Sequence, residues 1–465
     1  MRPLWTVAEV VAATGGRPEG LADGPLGSVS IDSRDIEPEA LFVAIKGDSH
    51  DGHDFVGKAL EQGAAAALVS EAFHARQGGE RLIVVPDPLE ALRKLAEAAR
   101  ARSRALIVAV TGSAGKTTSK EALRTALSAA GQTHASVKSF NNHWGVPLTL
   151  ARLPQDAQFG IFEIGMNHAG EITPLVRLVR PHIAVITTVA AAHLEFFNSV
   201  AEIAAAKAEI FLGLEPGGTA VLNGDHAYLH ILFGKAREAE VGRIVTYGFD
   251  ESCDWRISRY EDMGDKTFVS VDHDGQRVEL VLKVRGRHMA ANAVGALAVA
   301  SLAGEGTQVA AAALAAFGAP EGRGETLRLG PADTPLLLVD ESYNANVASM
   351  AAALGVFAGS SAPGGRKLLV LGDMLELGPT APELHAGLAP AVLASGAERI
   401  YLVGTAMAGL AEALGEGRVA GRADKVEELA DAIVSDLALG DAVMVKGSNG
   451  VRLSRLVARI RERFG

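Results

Sequence analysis

An apolar run, Ala105 to Val110, leads without a break into Thr111-Gly-Ser-Ala-Gly-Lys-Thr-Thr118, and a helical pattern leaves it. A buried strand, a glycine turn and a helix N-terminus in that order form a phosphate cradle, because orphan backbone N–H groups and the positive end of the helix converge on one point. Gly112 and Gly115 allow the turn, and the backbone of Ser113, Ala114 and Thr118 completes its wall. Lys116 brings a charge to the β- and γ-phosphates of ATP, and the Thr117 hydroxyl suits magnesium. The loop has two residues between its glycines where the common pattern has four, so the general motif does not match.

A chain of 465 residues divides into two to four domains. Its 52 glycines, 48% hydrophobic and 21% charged residues fit an α/β protein with many strand-to-helix turns. Cys253 is the single cysteine, so no internal disulfide forms, which fits a cytoplasmic protein. A net charge of −11 speaks against nucleic acid as a partner. The N-terminus carries Glu9 inside its apolar stretch and does not read as a signal peptide; the alanine-rich segments are too short or too polar for membrane insertion. Length and polarity together imply a monomer.

Three segments follow. Residues 1–86 read as a small α/β unit with polar loops Ser30 to Arg34 and Lys46 to His53. Ser33, Arg34, Lys46 and His53 are candidates for a diphosphate or nucleoside, against the plainer reading of a solvated turn with an Arg–Asp pair. Pro86-Asp-Pro88 breaks the chain and opens residues 87–321. There Asn141-Asn-His-Trp-Gly145 follows the cradle helix, and Glu163 ends the strand Phe159 to Gly165, where open α/β sheets place ligands. Ile183 to Val189 runs into His193, and a helix from Val200 to Leu212 carries Lys207 among alanines, the pattern of a snorkelling surface lysine. Asn292, in the helix opened by Gly286-Arg-His-Met-Ala-Ala-Asn292, suits a base edge or a helix cap.

Residues 322–465 alternate strand and helix as a doubly wound, Rossmann-like sheet, without the glycine fingerprint of a dinucleotide site. The strand ends carry Asp340-Glu-Ser-Tyr-Asn-Ala-Asn346, Leu371-Gly-Asp-Met-Leu-Glu-Leu-Gly378 and Lys446-Gly-Ser-Asn449. The fold class is α/β in three domains: a small N-terminal α/β domain, a central P-loop ATPase-like domain with a mostly parallel sheet, and the Rossmann-like C-terminal domain.

With these motifs in order, the chain resembles the Mur ligase family, specifically its MurF type. The resemblance rests on Asp32-Ser-Arg34, the short cradle, Asn141 to Pro147, Glu163-x-Gly-x-Asn167, Ala192-His-Leu-Glu195, Lys207, Gly286-Arg-His288, Arg323 and the run from Asp340 to Met350, and it covers essentially the whole chain. It implies ATP-dependent addition of D-alanyl-D-alanine to a UDP-muramoyl tripeptide through an acyl phosphate, in the cytoplasm. It implies catalytic roles for Lys116, Glu163, His193, Lys207 and Arg323, and two Mg2+ ions held by Thr117, Glu163, His193 and Lys207, the last as a carbamate. Asn292, Arg323 and Asp340 would contact adenine, phosphate and ribose. Ser33, Arg34, Lys46, His53, Asn141, Asn142, Tyr343 and Asn344 would hold the substrates. Met289 stands where family members often have Asn, which puts a polar contact on the base side, but not the phosphate chemistry, in question; Asn449 stands where some have Arg and receives no catalytic role. Two other readings stay open at this point: another amide ligase of the superfamily, and a non-enzymatic nucleotide switch.

Overall fold

The computed structural model describes residues 3–47, 50–137, 139–415 and 417–465. Asp48 and Ser49, in the loop from Lys46 to His53, lie outside the described residues. Three large sheets follow one another along the chain.

The first has four parallel strands, Ser28–Ser30, Ala40–Val43, Ala66–Ser70 and Leu82–Val85, with Arg17–Glu19 antiparallel on the edge. Asp87 caps the helix Pro88–Arg102 by accepting from the N–H groups of Leu89 and Glu90, and Pro88 occupies its first turn, where a missing N–H costs nothing. Leu92, Leu95 and Ala99 of this helix pack on the first sheet, as do Leu148 and Ala151 of the helix Gly145–Ala151.

The second sheet has nine strands, in the order Gln276–Leu282, Thr267–His273, Trp255–Asp262, Arg243–Gly248, Thr219–Asn223, Ile183–Ile186, Leu106–Thr111, Phe159–Glu163 and Thr133–Ala135. The run before the cradle is apolar throughout because both its faces are covered: Ile107 and Ala109 enter one core, Val108 and Val110 the other. Leu106–Thr111 is flanked in parallel by Ile183–Ile186 and Phe159–Glu163. Their carboxyl ends therefore share one rim.

The third sheet runs Glu325–Leu329, Leu336–Glu341, Ala442–Lys446, Lys367–Gly372, Arg399–Val403 and Val419–Ala423, parallel except for its antiparallel first strand. Ala442–Lys446 sits between two strands that precede it in the chain, so the chain reverses direction around it. Such a switch point opens a crevice at the carboxyl ends, and the clusters at 340–346, 372–378 and 446–449 all emerge there. The helix expected over 200–212 is α-helical only through Lys207 and tightens into a 3-10 turn over Ala208–Gly213. Close packing explains the change: a Cβ at Gly213 would lie 2.4 Å from the Val176 carbonyl, and Glu209 accepts from the backbone N–H groups of Gly170 and Thr173. Among the described residues, no helix is long and apolar enough to cross a membrane.

Candidate active site

The phosphate loop closes as a tight nest. Gly115 caps the helix Lys116–Ser128 in the left-handed region, with φ of 81°. A Cβ there would lie 3.1 Å from both amide atoms of Asn292, which is why glycine is needed. Ser113 N–H donates to the Thr188 carbonyl at 2.9 Å and its hydroxyl to the Ala190 carbonyl at 3.0 Å, so the loop is pinned to the segment after Ile183–Ile186. Thr187 adds a donor to the Ala114 carbonyl at 2.5 Å. Lys116 folds back, its Nζ donating to the Gly112 carbonyl at 2.8 Å. Burial pulls its pKa below the usual lysine range; Arg323 adds to that and Glu163 opposes it.

Glu163, 1% exposed, spends one carboxylate oxygen on the Thr117 hydroxyl at 2.8 Å and the other on the Asn141 amide at 2.8 Å. A hydroxyl and a carboxylate oxygen held together beside a phosphate cradle are the hard donors magnesium takes, and magnesium fills its remaining positions with water and phosphate. Among the described residues no group of three or more His, Cys, Asp or Glu side chains converges as a metal centre.

The C-terminal domain supplies the opposite wall. The Arg323 guanidinium donates to the Ser139 hydroxyl at 3.2 Å and stacks 4.1 Å from the Tyr343 ring centroid. The Asn346 amide reaches across to the Ser113 carbonyl at 3.1 Å, tying the third sheet directly to the phosphate loop. Between these walls lies a cavity of about 390 Å³ that contains residues 113–118, Asn141, Glu163, Asn292, Arg323, Tyr343 and Asn344. Met289 and His288 line it too, and burial lowers the His288 pKa, with Glu341 opposing and Lys446 adding to the effect. Lys446 is buried at the same edge, donating to Glu341 at 3.0 Å and to the Asn344 carbonyl at 3.1 Å.

Other expected residues sit elsewhere. Asp340 is buried but does not line the cavity; its Oδ1 accepts from the Ser342 N–H and hydroxyl, shaping the turn that carries Tyr343. His193 lines a neighbouring cavity of about 250 Å³ with Ser113, Lys116 and Asn344, and its Nδ1 meets Glu376 at 2.5 Å. Lys207, read from its alanine context as a surface residue, is 1% exposed. Its amine makes no hydrogen bond or ion pair among the described residues, and burial, reinforced by Lys116, holds its pKa well below the lysine value. Asn142 accepts from the Gly145 N–H and so starts a helix.

The N-terminal candidates stay outside these two cavities. Arg34 is exposed and forks onto Asp32 at 2.9 and 2.7 Å, the solvated pair that the residue types allowed. Ser33 is buried, and the backbone of Lys46 pairs with that of Asp51 in an isolated antiparallel β-bridge. Both ring nitrogens of His53 are engaged: Nε2 accepts from the Ser70 N–H at 3.0 Å, so Nδ1 carries the hydrogen shared with Asp51 at 2.6 Å. Ser139, Thr187, Asn346, Lys446 and Glu376 were not singled out individually in the sequence, although the last three fall in the C-terminal strand-end clusters.

Comparison with known proteins finds matches along most of the chain. Three family models match: the Mur ligase family catalytic domain over residues 26–100, the Mur ligase middle domain over 110–300 and the Mur ligase glutamate ligase domain over 322–449. The UDP-N-acetylmuramoyl-tripeptide–D-alanyl-D-alanine ligase of Escherichia coli (strain K12) is 35% identical over 469 residues, spanning 98% of each chain. A crystal structure of MurF from Acinetobacter baumannii superposes with a TM-score of 0.84 at 26% identity, over 98% of this chain and 99% of that one. The MurF ligase of Thermotoga maritima, solved in complex with ADP, shares the fold with a TM-score of 0.76 at 24% identity, over 94% and 97% of the two chains.

Proposed function

The chain belongs to the Mur ligase family, and from that membership we propose that it joins D-alanyl-D-alanine to UDP-N-acetylmuramoyl-tripeptide, with ATP converted to ADP and phosphate, in peptidoglycan precursor synthesis. The observation that carries the reading is the shared cavity: the phosphate loop, Glu163 and Asn292 from the central domain face Arg323, Tyr343 and Asn344 from the C-terminal domain. A cavity walled by two domains can hold several substrates against one another, and phosphoryl transfer is served mainly by positioning and charge neutralisation.

The tripeptide's terminal carboxylate attacks the γ-phosphorus, the bond to the bridging oxygen breaks, and ADP leaves. The amine of D-alanyl-D-alanine then attacks the acyl phosphate carbonyl, phosphate departs with the bonding pair, and the nitrogen releases a proton to solvent as the amide forms. Lys116 leaves the Gly112 carbonyl for the β/γ oxygens, and Arg323 meets phosphate from the other domain. Asn292 and Met289 floor the base end, while Asp340 acts through the turn that presents Tyr343. Thr117 and Glu163 would hold one magnesium ion; His193 and Lys207 would serve a second. When bound, magnesium neutralises the phosphate charge. The Lys207 amine suits that task as a carbamate: it is buried, has no hydrogen-bond partner among the described residues, and has its pKa held well below the lysine value by burial and Lys116, so that its neutral form can bond to carbon dioxide, release a proton and offer negatively charged carbamate oxygens. Ser33, Arg34, Lys46 and His53 belong to the UDP end, with Asn141 and Asn142 between it and the reaction centre. We place the enzyme in the cytoplasm as a monomer.

Phosphate release from ATP and magnesium tests the reading, with UDP-muramoyl tripeptides ending in diaminopimelate or lysine and with D-alanyl-D-alanine added or withheld. Release should require both partners and fall by at least about 100-fold in Lys116→Ala. Release driven by a different amine would move the protein to another branch of the family.

A further inference from the structure

The segment Leu371 to Gly378 stands out in the sequence and takes no part in the chemistry above. In the fold its tip crosses to the central domain and meets His193 twice over. The Glu376 carboxylate lies 2.5 Å from His193 Nδ1, and the Glu376 carbonyl accepts from the Glu195 N–H at 3.1 Å. Both residues are held in the left-handed region, His193 with φ of 59° and Glu376 with φ of 63°, a conformation non-glycine residues keep only when their surroundings fix it. Gly378 completes the clamp: a Cβ there would lie 3.1 Å from the Glu195 Cα. The two loops are therefore locked in one register.

That contact fixes the imidazole. An ionised carboxylate only accepts, so Nδ1 carries the hydrogen and Nε2 of the neutral ring carries the lone pair. Nε2 makes no hydrogen bond among the described residues, and His193 lines the 250 Å³ cavity with Ser113, Lys116 and Glu376 itself. A ring oriented by a carboxylate on one nitrogen and open on the other is prepared to bind a cation.

We propose that Glu376 is a positioning residue supplied by the C-terminal domain: it presents His193 Nε2 to the reaction cavity, so that the second cation binds fully only when that domain is docked. The proposal rests on the reading of His193 as a cation ligand in the ligase reaction. Linkage then makes the effect reciprocal, because a cation that favours the docked form also tightens docking.

The test uses the full-length protein and Glu376→Ala and Glu376→Gln. Nitrogen NMR of the substrate-free enzyme at mildly alkaline pH should show His193 as the Nδ1–H tautomer in wild type and a shift toward the Nε2–H tautomer in Glu376→Ala. Manganese binding in the presence of ADP, counted by electron paramagnetic resonance, should lose about 10- to 100-fold in affinity at the weaker of two sites and leave the tighter site unchanged. Glu376→Gln keeps an acceptor oxygen and should recover most of both effects. In turnover, the magnesium requirement should rise with little change in the KM for ATP. An unchanged tautomer and unchanged manganese affinity in Glu376→Ala would overturn the proposal, as would a single manganese site in wild type or an equal loss at both sites. Absence of turnover in wild type with tripeptide and dipeptide refutes the ligase reading instead; the manganese and NMR readouts need neither substrate and still decide the role of Glu376.

Discussion

Replacing Gly115 by alanine tests the phosphate cradle most directly, because both of its costs can be read from the fold. The residue sits at φ 81° and ψ −4°, where an L side chain costs about 1–2 kcal/mol. The new methyl would lie 3.1 Å from Nδ2 and Oδ1 of Asn292, which is 6% exposed and must swing aside, adding about 1 kcal/mol. The total, about 2–3 kcal/mol, has two places to appear. If the free loop keeps its shape, the whole cost falls on stability. If it relaxes, ADP must restore it, and the dissociation constant rises by up to about 30- to 150-fold. Thermal unfolding and calorimetric titration of ADP on the same variant should therefore share a fixed sum. Adding Asn292→Ala removes the contact but not the backbone strain, so it should recover only about 1 kcal/mol. Wild-type melting together with wild-type ADP affinity in Gly115→Ala would refute the cradle, and complete rescue by Asn292→Ala would refute the backbone argument.

Arg323→Ala removes the hydrogen bond to Ser139 and the stack on Tyr343, a loss of about 1–2 kcal/mol across the domain cleft. The KM for ATP should rise roughly tenfold with the melting temperature nearly unchanged. Lys207→Met should abolish turnover yet stabilise the carbon dioxide-free protein at neutral pH, because it removes a buried amine that has no partner among the described residues. The sign of the pH dependence follows from the depressed folded pKa. Wild-type stability is fullest above the ordinary lysine pKa and falls as pH drops toward the folded value, by about 1.4 kcal/mol per pH unit within that window. The stability advantage of Lys207→Met, measured by thermal unfolding, should thus shrink as pH rises from neutral toward the ordinary lysine range, and a constant gap would refute the buried neutral amine.

What could be read from the chain was local. An uninterrupted apolar run, two glycines and a lysine specify strand, loop and helix within a dozen residues, and the strand carrying Glu163 follows from the same kind of run. The helix Ile172–Val179 also had a signal, with buried residues at 172, 175, 176 and 179, and so did the edge strand Glu325–Leu329, whose exposure alternates. Lys207 shows the limit. Alanine neighbours are equally compatible with a surface helix and with a core, and only packing between helices decides. Glu376 shows it more sharply: its partner is 183 residues away, and no periodicity carries a contact over that distance. Ser139 and Asn346 have partners 184 and 233 residues distant for the same reason.

A chain of net charge −11 that binds polyanions has to solve its electrostatics locally. At physiological salt, charges more than about 8 Å from the cleft are largely screened, so the acidic surface does little to repel a nucleotide. Inside, Lys116, Arg323 and Lys446 line one cavity against Glu163 and Glu341, and the Lys116 charge adds to burial in disfavouring a charge on Lys207. Burial makes the Lys116 ammonium unfavourable, and Arg323 adds to this while Glu163 offsets it only in part. A diphosphate removes that penalty, and it does so most completely when the C-terminal domain has brought Arg323 and Lys446 into place. The hydrogen bonds that cross the cleft, Asn346 to Ser113, Arg323 to Ser139, Glu376 to His193 and Glu195, and Arg285 to Ser360, are polar contacts between the two domains. Nucleotide charge adds to the attraction across this seam. Domain closure and phosphate binding are then one equilibrium, in which the ligand completes a site that neither domain contains alone.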